Sequence, residues 1–177
     1  MKKIIFFALI VISASKLSGQ DYIMGIGYRG INEFTREGLA LTNSIDVKYN
    51  IEHDAANNKA VEAFLAFRYA GYSFTTFMEI QNQFHLPKMR YSHIYWYYGF
   101  GLHYGSYIGD TYFHRKKGHD YAGKVYNFGV DGILGFDYVF YDFPISVGID
   151  AMPFYDIIKP GPSVFNMGFT IRYVIGK

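Results

Sequence analysis

Residues Phe128 to Phe140, FGVDGILGFDYVF, alternate along their whole length. Phe128, Val130, Gly132, Leu134, Phe136, Tyr138 and Phe140 fall on one side of a two-residue period, with Gly129, Asp131, Gly135 and Asp137 on the other. A period of two is a β-strand with two unlike faces. Here the second face carries carboxylates and glycines, which does not suit the core of a soluble sandwich. The last stretch repeats the arrangement: Phe165, Met167, Phe169, Ile171 and Tyr173 alternate with Asn166, Gly168, Thr170 and Arg172. A sheet that is apolar outside and polar inside fits a barrel in a lipid bilayer, where closure satisfies every backbone polar group.

The rest of the chain bounds that reading. Lys2 and Lys3 precede an unbroken apolar run, Ile4 to Ile12, followed by the small residues Ser13, Ala14, Ser15, Ser18 and Gly19. This is the layout of a secretory signal over residues 1–20, and the run is shorter than the roughly 20 apolar residues of a spanning helix. Residues 21–177 then form one domain. Lys2, Lys3 and Lys16 leave with the signal and no acid does, so the formal charge of +2 becomes −1. That removes the basic footprint a nucleic-acid partner needs. The absence of cysteine excludes a disulfide scaffold, a thiolate metal site and a cysteine nucleophile. A bilayer-spanning strand takes about 9–11 residues, so the remaining length suits eight strands and not twelve.

Eight strands can be placed: Tyr22 to Arg29, Leu41 to Ile51, Val61 to Tyr69, Tyr72 to Gln81, His93 to Tyr104, one around the opening stretch, Ile145 to Met152, and Val164 to Ile175. INEFTREG, EHDAANNK, QFHLPKMRYS and PFYDIIKPGPS read as connections, on turn-forming residues and proline. Tyr107 to Lys124 is the longest connection. In the fourth strand Thr76 and Phe77 sit on the wrong faces for the pattern. The predicted fold is all-β, an eight-stranded antiparallel transmembrane up-and-down β-barrel with both ends of the chain at one rim.

The second faces collect Arg29, Asp46, Lys48, Glu62, Arg68, Glu79, His103, Asp131, Asp137, Asp150 and Arg172. Charges of both signs on one surface suit an interior polar network, because Arg or Lys left in mid-bilayer hydrocarbon costs roughly 2–4 kcal/mol. An eight-stranded barrel encloses only enough space for its own side chains. Tyr22, Tyr28, Tyr49, Tyr69, Tyr72, Tyr104, Tyr138 and Tyr173 near strand ends suit interfacial girdles. The inverse arrangement, aromatics inside and charges in water, describes a secreted lipocalin-like ligand carrier.

Ala60 to Ile80, Tyr95 to Tyr107, Phe128 to Pro153 and Gly168 to Ile175 carry a resemblance. Its more specific parts are the run Tyr97-Tyr98-Gly99-x-Gly101-x-His103 and the span from Gly129-Val130-Asp131-Gly132 to Asp150-x-x-Pro153. They resemble a family of small outer-membrane β-barrel proteins of Bacteroidota-type Gram-negative bacteria, most of which have no assigned activity. The resemblance implies a bacterial outer-membrane location and insertion by the outer-membrane assembly machinery. That machinery reads a last strand ending in an aromatic, whereas Tyr173 is followed here by four further residues.

No catalytic constellation emerges. His103 has no nucleophile at matched spacing, and the acidic group with Arg172 reads as a pairing network. A lipid-modifying barrel enzyme would draw on Ser106, Asp110, His114 and His119 near the rim. The basic run His114, Arg115, Lys116, Lys117 and His119 is a possible anion-binding loop. His85, His93, His114 and His119 lack metal-ligand spacing, and Gly99-x-Gly101 lacks the third glycine of a dinucleotide motif. The expectations are no metal, no cofactor, a monomer in outer-membrane lipid, and a structural or surface-interaction role without catalysis. A lipid-modifying enzyme, a soluble carrier and a narrow channel are the alternatives.

Overall fold

The structure is a computed structural model and describes residues 22–35, 38–51, 58–68, 71–83, 93–108, 123–158 and 163–176. Its strands are β1 (Met24–Thr35), β2 (Gly38–Asn50), β3 (Asn58–Arg68), β4 (Gly71–Gln83), β5 (Ile94–Ile108), β6 (Lys124–Val139), β7 (Ile145–Ile158) and β8 (Ser163–Ile175). Each is antiparallel to the next in chain order, and β8 returns to pair with β1. The sheet is a closed eight-stranded up-and-down barrel. Closure removes the free edge that an open sheet must protect.

Antiparallel order places the described chain's two ends at one rim, the terminal end. The connections after β1, β3, β5 and β7 lie at the other, the loop end. Residues alternate across the wall as the sequence dictates. Ile45, Val47, Phe100, Leu134, Phe136, Ile149 and Phe169 are exposed outside, and Arg29, Asp46, Lys48, Glu62, Asp150 and Arg172 are buried inside. This polarity is inverted relative to a water-soluble protein, whose apolar side chains fill the core. The carrier-like arrangement, with aromatics enclosed and charges in water, is not the one adopted.

Strand bounds correct the sequence expectation mainly at the loop end. β1 continues through five residues assigned to INEFTREG, and β7 continues past Pro153 to Ile158. Both segments keep their in–out alternation: Glu33 is buried while Phe34 is exposed, and Tyr155 and Ile157 are exposed. Tyr22 is a second correction. The bend at Ile23 shifts its parity, so it is buried inside while Ile23 is exposed. Tyr28, Tyr49, Tyr72, Tyr104 and Tyr138 are exposed on the outer wall, Tyr173 is half-buried, and Tyr69 lies outside the described residues. The apparent misfit at Phe77 has a simple cause: its ring points inward and packs at 6.1 Å on that of Phe64.

Candidate functional site

The lumen is layered along the barrel axis. Its central layer takes a polar side chain from every strand and two from β2: Arg29 from β1, Asp46 and Lys48 from β2, Glu62 from β3, Glu79 from β4, Tyr97 from β5, Asp137 from β6, Asp150 from β7 and Arg172 from β8. All are essentially inaccessible to solvent.

Three cations hold five carboxylates there. Arg29 Nη1 donates to both oxygens of Asp150 at 2.9 Å, its Nε reaches Asp46 Oδ2 at 3.2 Å, and its Nη2 meets Glu62. Arg172 Nη1 donates to Asp137 Oδ1 at 3.1 Å, its Nη2 lies 2.9 Å from Glu62 Oε2, and its Nε donates to Asp46. Lys48 Nζ lies 2.7 Å from Glu79 Oε2, 2.9 Å from Asp137 Oδ2 and 3.4 Å from Glu62 Oε2. Tyr97 hydroxyl donates to Asp150 Oδ2 at 3.1 Å, and its ring lies under Lys48 Nζ, 3.9 Å from the centroid. The Arg29 guanidinium stacks over Phe64 at 4.8 Å. Sheet hydrogen bonds join neighbours around the wall, whereas ion pairs such as Lys48–Asp137 and Arg172–Glu62 join strands that are not neighbours in the sheet.

Glycine makes the crossing possible. A Cβ on Gly135 would stand 2.5 Å from Tyr97 Cζ and 2.7 Å from Asp150 Cβ. On Gly168 it would stand 2.8 Å from Arg29 Nη1. Real Cβ atoms do not approach so closely, so these positions leave room for their neighbours' long side chains.

Apolar layers bound the charges on both sides. Toward the terminal end Tyr22, Val139 and Val174 pack together with Tyr95 against them. Toward the loop end Ile31, Phe64, Ala66, Phe77, Ile133 and Met152 form a second cluster, which also takes in Tyr97. Beyond it sits a smaller polar group. His103 Nδ1 lies 2.9 and 3.1 Å from the two oxygens of Asp131, and Nε2 lies 2.7 Å from Asp156 Oδ1. Asn127 Nδ2 donates to the same Asp156 oxygen at 3.2 Å, and Phe154 meets the imidazole edge-on at 5.5 Å.

With a carboxylate at each ring nitrogen, His103 is bound as an imidazolium-type donor on both sides, and neither nitrogen is free to accept a proton from a substrate. The central layer has the same character. Its carboxylates are occupied by cations, which is what burial of charge demands.

Ten of the eleven interior residues expected from sequence are thus placed inside the wall. The eleventh, Arg68, ends β3 with its side chain outside the described residues. The structure divides the ten into two groups: His103 and Asp131 belong to the upper one, the other eight to the central layer. Ser106 falls on the opposite parity of β5 from His103, so the two do not converge. Asp110, His114, Arg115, Lys116, Lys117 and His119 lie outside the described residues, as do residues 1–20. Among the described residues no group of His, Asp or Glu has the arrangement of a metal site.

Sequence reasoning missed Asp156 because it lay in a segment read as a connection. Its parity with Asp150 was the available signal. It also missed the inward apolar layer, since a large apolar residue on a polar face looks like a break in the pattern.

No family model matches the chain, and no curated protein matches it. Among solved structures it is similar to the crystal structure of Neisserial surface protein A, at 11% identity and a TM-score of 0.49, over 84% of this chain and 92% of that one.

Proposed function

We propose that this chain is an outer-membrane β-barrel protein of Bacteroidota-type Gram-negative bacteria, with a closed lumen and a structural or surface-interaction role without catalysis. Residues 1–20 direct its export, the outer-membrane assembly machinery inserts it, and it stands in outer-membrane lipid as a monomer. The observation that carries this reading is the inverted wall: apolar and aromatic side chains cover the outside, and a buried charge layer braces all eight strands inside. Hydrocarbon is the solvent in which that arrangement is stable.

The absence of catalysis rests on the engagement of both His103 nitrogens, and the closed lumen on apolar layers either side of the charges. The surface-interaction role rests on the basic run His114 to His119 of the sequence.

Gel migration of the folded protein, unboiled against boiled, together with membrane fractionation, tests the reading. A heat-dependent shift and recovery in the outer-membrane fraction are expected, with no steady conductance in planar bilayers. A protein that stays soluble without detergent overturns the membrane assignment. A stable conductance overturns the closed lumen.

A further inference from the structure

Strand β7 is held differently on the two sides of Pro153. Toward the terminal end it pairs on both edges, with β8 from Ile145↔Tyr173 to Pro153↔Phe165 and with β6 from Val139↔Ser146 to Leu134↔Ala151. Beyond Pro153, residues 154–158 pair with β6 alone among the described residues. That upper ladder is separate from the lower one: it has no pair at Gly132 or Ile133, and its register shifts between Phe128 and Gly129. Proline brings no N–H that could bridge the break. Residues 154–158 thus form an arm at the loop end, joined to the braced part of β7 through Pro153.

The arm's outward side chains, Tyr155, Ile157 and Ile158, are exposed. Phe154 and Asp156 turn inward, and both rest on His103. Phe154 meets the imidazole edge-on at 5.5 Å, and Asp156 Oδ1 lies 2.7 Å from Nε2. The row Thr75↔His103↔Gly129↔Asp156 runs around the wall through β4, β5, β6 and β7. A Cβ on Gly129 would stand 2.4 Å from His103 Cε1, so the glycine lets the ring cross β6 and reach β7.

We propose that His103 is the latch of a pH-sensitive lid: its imidazolium clamps residues 154–158 against β6, and loss of the proton lets the arm swing about Pro153 and uncover the loop end of the lumen. An imidazolium donates from both nitrogens, whereas a neutral imidazole donates from one and presents a lone pair at the other. Asp131 holds Nδ1 with two oxygens, at 2.9 and 3.1 Å, so the remaining proton stays there and Asp156 then faces the lone pair. The closed arm is therefore favoured below the titration of the imidazolium and released as pH rises through it. The titratable groups facing the ring are Asp131 from β6 and Asp156 from β7; β4 presents Ser73, Thr75 and Phe77 on its inner face. Across the lumen Glu33 of β1 accepts a hydrogen bond from Thr42 of β2 at 2.8 Å. The layer of Ile31, Phe64 and Phe77 separates this group from the central charges, so the lid goes beyond the structural role and leaves the charge layer shut.

Hydrogen–deuterium exchange of the detergent-folded protein across a pH series tests the lid. Protection factors, which divide out the chemical exchange rate at each pH, are compared between residues 154–158 and residues 145–151. As pH rises the arm is expected to lose protection by about tenfold to a hundredfold, the worth of one charge-assisted hydrogen bond, while residues 145–151 keep theirs. Asp156→Asn should remove that fall, because an amide donates to a neutral Nε2 as well as it accepts from an imidazolium. His103→Gln, which does not titrate, should leave the arm's protection independent of pH. A pH-independent arm in the wild type, a fall that Asp156→Asn leaves in place, or loss of protection in both segments together overturns the lid. The wild-type comparison of the two segments decides even if a variant fails to fold. The heat-shifted band of the same samples reports the barrel itself, so the lid can fail while the barrel stands.

Discussion

Replacing Arg172 by methionine keeps much of its length and removes its charge from the middle of the lumen. Arg172 contacts Asp46, Glu62 and Asp137, and each keeps one cation or more in its absence. Arg29 remains 3.2 Å from Asp46, Lys48 remains 2.9 Å from Asp137, and both Arg29 and Lys48 still reach Glu62. Removing one member of a buried ion pair typically costs about 3–5 kcal/mol. The surviving contacts place Arg172→Met near the lower bound, about 3 kcal/mol.

In a urea titration of the folded barrel, followed through Trp96 fluorescence, a slope near 2 kcal/mol/M turns that loss into a midpoint lower by about 1.5 M. The companion Asp46→Asn removes one of the carboxylates left short of charge. The double variant should therefore recover about 1–3 kcal/mol, a coupling typical of residues in one network. Midpoints of Arg172→Met and wild type that coincide, or a double variant no better than Arg172→Met, would refute the reasoning. Either result means that water inside the barrel solvates these charges, and the closed lumen falls with it.

Three further outcomes follow from the same geometry. Gly135→Val, whose Cβ would stand 2.5 Å from Tyr97 Cζ, should abolish the heat-shifted band, whereas Gly132→Ala on the outer wall should retain it; folding of both variants would disprove the close packing at Gly135. Tyr97→Phe removes the 3.1 Å hydrogen bond to Asp150 but keeps the ring beneath Lys48, so about 1–3 kcal/mol should be lost, read as a urea midpoint. His103→Leu strands Asp131 and Asp156 beside each other and should lower the midpoint, while Asp131→Asn added to it should raise it again; a rise on His103→Leu alone would mean that the upper group does not stabilise the fold.

What the sequence made legible follows from what the proposed bilayer setting would demand. A wall facing hydrocarbon needs apolar outward residues, and β6 and β8 declare that period without ambiguity. Above that belt the constraint lapses. Asn32 and Glu33 in β1, and Pro153 and Asp156 in β7, look like loop residues although they lie in strands. The lumen was legible in its charges, since a charge on a strand that crosses hydrocarbon has to face inward. It was less legible in its apolar members. Phe64 and Phe77 are inside because eight strands enclose a space that side chains must fill, and on that ground alone phenylalanine serves as well as arginine. Nothing in a single strand marks which. Tyr22 was misplaced because one irregular residue, Ile23, reverses the parity that every such assignment relies on.

The layered lumen also constrains where any function can act. Apolar clusters on both sides withdraw the charge layer from water, and low dielectric then strengthens each ion pair and penalises each broken one. A solute entering from the loop end meets the His103 group, then the Phe64–Phe77 layer, before any central charge. Passing further would mean separating Arg29 and Arg172 from four carboxylates at once. The cross-lumen pairs that keep the wall round are thus the same contacts that block passage, and a variant that opens one must weaken the other. Any recognition by this fold is thereby confined to surfaces outside the charge layer.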